Sequence, residues 1–226
     1  QPAERVIYLL RQACDSLAEA HRRNLIHRDI KPANIYLCAV GLKVDFVKVL
    51  DFGLVRDLNS DLRLTSEGSV SGTPAYLAPE AAAHNQFDPR GDIYALGCVA
   101  YYMLTGHLVF DAETSAAMIA AHIRDKATAP SHRSELPIPA ALDAIVLSCL
   151  AKDPADRPQT AEELQERLNA VPLASPWNQD LAHAWWSTHV PHLVERACQT
   201  CGHQAAADAP SLRKRPTPMQ RETAGI

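Results

Sequence analysis

The stretch His27-Arg28-Asp29-Ile30-Lys31-Pro32-Ala33-Asn34 brings an acid, a primary amine and a neutral amide close together in the chain. Downstream, Asp51-Phe52-Gly53 adds a second carboxylate, followed by a glycine that lets the backbone turn sharply. These residue types suit transfer of a phosphoryl group to a hydroxyl. That reaction needs little covalent chemistry from a protein: an oriented acceptor oxygen, a held metal ion and neutralised charge on the moving group. Asp29 is suited to accept the acceptor's proton and aim its oxygen. Lys31 can face a γ-phosphate as a point charge, and Asn34 offers a neutral oxygen to a hard cation such as Mg²⁺. Asp51 supplies an anionic ligand for the same metal. A charged surface turn explains such an ordered set poorly. His27 reads as a packed or hydrogen-bonded structural histidine, because the proton-accepting role already falls to Asp29.

The elements that must position these groups are legible from periodicity. Val6, Leu9, Leu10, Ala13, Leu17 and Ala20 recur at threes and fours, which predicts a helix from Pro2 to Arg22 with one buried stripe. Two β-like pieces follow, Asn34 to Leu37 and Val44 to Leu50, with Gly41 in the turn between them. Paired as a hairpin, they hold Asn34 and Asp51 near strand ends. Leu54 to Leu77 has no sustained period and reads as a long loop, which at that length is usually functional. Gly91 to Thr105 is apolar on nearly every face and predicts a helix buried all round. Amphipathic helices are expected at about Ala112 to Arg124, Ala140 to Leu150 and Thr160 to Ala170, separated by proline-bearing loops. Beyond Pro172 the pattern is irregular, with Trp177, Trp185 and Trp186 on a short helix; the last two are expected to pack back rather than form a docking surface. From about Ala205 the sequence is polar and disorder is expected. The fold class is mainly α (α+β), with one small β-hairpin.

Composition bounds the function. The chain has 226 residues, 47% hydrophobic, and a formal charge of -4 without a basic face, so nucleic acid is not an expected partner. The apolar run Ile93 to Leu104 is shorter than the roughly 20 residues of a bilayer-spanning helix. Four of the cysteines, Cys14, Cys38, Cys98 and Cys149, lie in apolar stretches as free thiols do, which fits a reducing, cytoplasmic location. A membrane anchor elsewhere in the full-length protein stays open. Cys198, Cys201 and His203 resemble half of a zinc site, but no second pair lies nearby in sequence, and an exposed tail is the better reading. His107, His122, His132, His183, His189 and His192 show no ligand-like pairing and are read as surface or linker residues. The sequence opens at Gln1 without an initiator Met and runs straight into a helix, so it reads as a piece of a longer chain.

The motifs together carry a resemblance. His27 to Asn34, then Asp51-Phe52-Gly53, then Ala78-Pro79-Glu80 stand in the order and at the separations of the eukaryotic-type serine/threonine protein kinase family, bacterial branch. The likeness covers about Glu4 to Val171 and is to the large lobe of the catalytic domain. It implies ATP with Mg²⁺ (or Mn²⁺) as cofactors and Ser/Thr hydroxyls of proteins as acceptors. In this family Asp29, Lys31 and Thr73 would be catalytic, Lys31, Asn34 and Asp51 would hold the nucleotide, and Asn34 and Asp51 the metal. Lys31 and Thr73 match the serine/threonine rather than the tyrosine pattern. Asp92 would cap the backbone of the catalytic loop, and Arg157 would pair with Glu80. Arg28 implies a basic pocket for a phosphate on the activation segment, with Thr65, Ser66, Ser69 and Ser71 as candidate acceptors.

Departures from the family are equally plain. The glycine-rich loop, the strand lysine and the helix glutamate of the small, nucleotide-clamping lobe are not found in these residues. The segment by itself is therefore expected to be inactive, and the missing N-terminal lobe of the same chain becomes its first partner. Tyr94 stands where many relatives have Trp, and the hairpin is slightly long. The expected organisation is a partial kinase domain at 1–171, a partly helical extension at 172–204 and a disordered tail at 205–226. Two alternatives are a non-catalytic, pseudokinase-like interaction module and a small-molecule phosphotransferase. Lys31 and the Thr73 to Glu80 platform, where a peptide would lie, speak against the second.

Overall fold

The computed structural model describes residues 1–52 and 74–191. Helix α1, Ala3–Arg22, opens after Pro2 without a side-chain cap. It closes in a Schellman turn: Asn24, at φ 59°, donates its N–H to the His21 carbonyl at 2.9 Å, and Leu25 donates to Ala20 at 3.0 Å. More of α1 is buried than the single expected stripe, since Arg5, Ile7, Cys14 and Ala18 are covered as well. The reason is that α1 has neighbours on more than one side, a β-hairpin among them.

That hairpin pairs β1, Ile35–Val40, with β2, Lys43–Val49, in antiparallel register, Ile35 opposite Val49 and Cys38 opposite Phe46. Both strands run further toward the turn than the sequence suggested. Val47 is buried, and Ile35 and Val49 pack on the core from the same face. Tyr36, Cys38, Phe46 and Lys48 alternate onto the opposite face. On that face Tyr36 and Phe46 are exposed.

The helical half begins with α2, Pro79–His84, a short helix that periodicity did not reveal. Helix α3, Pro89–Thr105, starts two residues ahead of the expected Gly91 because Asp88 caps it, accepting from Arg90 N–H, with Pro89 at the first position. Every residue from Asp92 to Tyr101 is buried, which the all-apolar pattern predicted. Helix α4, Ser115–Arg124, begins three residues after Ala112, where Thr114 accepts from Ala117 N–H at 3.1 Å. Helices α5, Ala140–Cys149, and α6, Ala161–Asn169, lie where expected to within a residue. α3 packs against α1 and α5, α6 packs against α1 and α5, and α2 packs against α4.

Helix α7, Gln179–His189, follows an Asn178 side chain that accepts from Leu181 N–H at 3.0 Å. The chain divides into two units, Gln1–Ala184 and Trp185–Ile226. The first therefore runs past the expected boundary at 171. In the second, the Trp185 ring stacks on His189, centroids 4.4 Å apart and 12° between planes. Cys198, Cys201, His203 and the tail from 205 lie outside the described residues. No helix among the described residues is long and apolar enough to cross a membrane.

Candidate active site

After α1 the chain enters a loop whose backbone is tied to the start of α3. Asp92 is 2% exposed, and its two carboxylate oxygens accept from His27 N–H and Arg28 N–H, each at 2.9 Å. His21 Nε2 approaches the same carboxylate at 2.8 Å. Arg28 sits at φ 67°, a conformation that costs a non-glycine residue roughly 1–3 kcal/mol. The Asp92 carboxylate offsets that cost by binding the two consecutive amides. The Arg28 side chain remains exposed, its guanidinium 5.3 Å from the centre of the Phe87 ring.

Asp29, Lys31 and Asn34 then meet. Lys31 Nζ lies 2.8 Å from Asp29 Oδ2. Asn34 Nδ2 donates both to that oxygen at 3.0 Å and to the Asp29 carbonyl at 2.7 Å. The turn Pro32–Asn34 makes this possible, curling one 3₁₀ turn so that Asn34 comes back under Asp29, with Asn34 N–H bonded to the Lys31 carbonyl. Asn34 is buried while Asp29 and Lys31 are partly open. With Nδ2 committed to Asp29, Oδ1 is the atom of Asn34 that suits a hard cation.

Leu50 joins this loop to Asp51. Its N–H donates to the Asn34 carbonyl at 2.9 Å, and its carbonyl accepts from His27 Nε2 at 2.7 Å. Asp29 N–H in turn reaches His27 Nδ1 at 3.3 Å, so a ring carrying its hydrogen on Nε2 serves both contacts. Phe52 packs edge-on against His27, centroids 4.8 Å apart. Asp51 itself is exposed, at φ 64°. His27 thus sits at the centre of a bonded framework between the loop and the strand end.

Arg157 is fully buried and forms a bidentate pair with Glu80, Nη1 to Oε1 at 2.8 Å and Nη2 to Oε2 at 2.7 Å. It also donates to the carbonyls of Ala151, Arg90 and Lys152. Its guanidinium lies 4.9 Å from the centre of the Tyr94 ring. One side chain therefore joins α2, α3 and the loop after α5. Nearby, burial pushes the Tyr76 hydroxyl up to about 12.

Gly53, Thr65, Ser66, Ser69, Ser71 and Thr73 lie outside the described residues. Two histidines escaped the sequence reading. His21 joins the Asp92 cluster, and its position in the last turn of α1 was the available signal. His122, expected at the surface, is instead fully buried, with Nδ1 2.8 Å from the Tyr94 hydroxyl. It lies four residues after Met118, on the buried face of α4.

The protein kinase domain family matches residues 2–168. This chain belongs to that family. The kinase lobe is 39% identical over 175 residues to the serine/threonine-protein kinase PknB of Mycobacterium leprae, covering 77% of this chain and 27% of that protein. It is 38% identical over 171 residues to the serine/threonine-protein kinase pkn3 of Myxococcus xanthus, covering 74% and 31%. It is 44% identical over 153 residues to Pkn1 of the same organism, covering 67% and 22%. The chain thus spans less than a third of the length of each of these relatives.

Proposed function

We propose that this chain is the large catalytic lobe of a serine/threonine protein kinase that moves the γ-phosphate of ATP to protein Ser or Thr hydroxyls. The observation that carries the reading is the Asp29–Lys31–Asn34 cluster, joined to Asp51 through the two hydrogen bonds of Leu50. Lys31 and Asn34 orient the Asp29 carboxylate, which takes the proton of the incoming hydroxyl. Lys31 then neutralises charge on the transferred group. Asn34 Oδ1 and Asp51 are the oxygen donors suited to Mg²⁺ or Mn²⁺, and the metal when bound would offset the phosphate charge. Lys31, two residues after Asp29, and Thr73 support the Ser/Thr acceptor class.

The nucleotide-clamping lobe is the natural partner of the hairpin's exposed face, where Tyr36 and Phe46 are open to solvent. Arg28 is read as part of a site for an activation-segment phosphate on Thr65, Ser66, Ser69 or Ser71. Mass spectrometry of active full-length protein with all four unmodified would count against that regulation. The reduced, buried thiols of Cys14, Cys98 and Cys149 support a cytoplasmic setting.

The decisive experiment uses this lobe joined to a kinase small lobe and a Ser/Thr peptide substrate. Asp29→Asn is expected to lower kcat by about 10²–10⁴-fold at an unchanged melting temperature. Turnover within a factor of about two of the parent would overturn the assignment of Asp29.

A further inference from the structure

Strand β2 contains an irregularity that the family match does not address. Cys38 opposes Phe46 but Val40 opposes Lys43, so β2 carries one residue more than β1 between these pairs. This is a β-bulge at Val44 and Asp45, and Asp45 has φ 54°. A bulge removes cross-strand partners from backbone groups, and Val44 and Asp45 are both buried, so water cannot replace them.

Side-chain amides from two separate segments supply the bonds. Gln12 of α1 donates to the Asp45 carbonyl at 2.9 Å and accepts from Val47 N–H at 3.1 Å. Gln179 accepts from Val44 N–H at 2.9 Å and donates to the Val44 carbonyl at 3.1 Å, as a neighbouring peptide group would. Gln179 Nε2 also reaches the Tyr8 hydroxyl at 3.0 Å.

The Asp45 carboxylate is fully buried and accepts from Arg5 Nε at 3.0 Å, Arg5 Nη2 at 2.7 Å and Trp177 Nε1 at 3.0 Å. His183 Nε2 meets the Leu42 carbonyl in the turn at 2.7 Å. Three residues of the segment 177–183 therefore bond to the hairpin, although the family match ends at residue 168.

We propose that residues 177–184 are an integral strap of this kinase lobe, and that Gln179 and Trp177 are positioning residues that hold β2, and through it Leu50 and Asp51, in place. Gln179 completes the bulge at Val44. Trp177 completes the coordination of the Asp45 carboxylate that keeps the bulge residue in its left-handed conformation. From there β2 runs straight to Leu50, whose two hydrogen bonds join it to Asn34 and His27. The importance of this placement for phosphoryl transfer rests on the function proposed above. The conformation itself does not, so the two fail separately.

Amide hydrogen exchange on the 226-residue chain tests the strap without requiring activity. In Gln179→Ala, amides from Val44 to Phe52 should exchange about tenfold faster, while those of α5 and α6 keep their rates. Trp177→Phe, which removes only the indole N–H donor, should accelerate the same stretch to a lesser degree. Gln179→Glu keeps the acceptor for Val44 N–H and loses the donor. Its protection should therefore return toward the parent's as pH falls toward the ordinary glutamate value of about 4.3, where a neutral carboxyl can donate again. Unchanged exchange in Gln179→Ala overturns the strap. Acceleration confined to Val44, acceleration spread equally over α5 and α6, or no recovery of Gln179→Glu at low pH each overturns the positioning role.

Discussion

The buried imidazole of His122 packs edge-on against Phe110 and shares a hydrogen bond with the Tyr94 hydroxyl. Burial lowers its pKa to about 4, helped by the nearby Lys152 ammonium and opposed by a polar contact with the Ala75 backbone. The neutral ring shares this bond through Nδ1 with Tyr94, whose hydroxyl burial pushes well above the usual tyrosine range. An unfolded histidine titrates near 6.5. Between these values the unfolded chain binds the extra proton, so the stabilisation is complete above about pH 6.5, declines as pH falls and is gone below about pH 4. Its size is about 3 kcal/mol. Urea unfolding at a series of pH values should show this acid limb in the parent and a flatter one in His122→Gln. Parallel limbs would show that His122 is not the group responsible.

Arg157 and Gly97 govern how the helices meet. Arg157→Ala leaves the Glu80 carboxylate without its bidentate partner in a largely dry site, and a loss of about 3–5 kcal/mol is expected. Arg157→Lys should recover only part, since an ammonium cannot reproduce the fork that also reaches three carbonyls. Gly97 faces α5 so closely that an added Cβ would stand 2.6 Å from the Cys149 Cβ. Gly97→Ala should cost about 1–3 kcal/mol by forcing α3 and α5 apart. Chemical denaturation reads both, and a Gly97→Ala chain as stable as the parent would show that this helix contact yields easily.

For the molecule as a whole, the strongest expectation concerns what these residues cannot do unaided. Positioning supplies much of the rate of phosphoryl transfer, and in the function proposed above the described residues would hold the acceptor and the metal but not clamp the triphosphate. The 226-residue chain alone should show negligible ATP-dependent phosphorylation, at the level of an Asp29→Asn control. Joining it to a small lobe should restore turnover that depends on Asp29. Substantial aspartate-dependent turnover by the chain alone would refute this.

The kinase family and most helices were legible in the sequence because their signals are local. Motif residues lie within eight positions of one another between His27 and Asn34, and apolar residues repeat at helical spacing in α1, α5 and α6. Helix starts depend on caps rather than on apolar period, so α3 and α4 begin two or three residues from the periodic boundary, where Asp88 and Thr114 accept from the first turns. For His122 and His21 only the helix positions were legible, whereas their bonds to Tyr94 and Asp92 were not, because each partner is distant in sequence. The same holds for the bulge at Asp45 and the strap that completes it. Which residues could do the chemistry follows from type and spacing, whereas a buried polar group must be satisfied by whatever the packed chain brings beside it. Only the tertiary structure decided that Leu50 would join Asn34 and His27, and that Gln179 would finish a strand it follows by more than a hundred residues.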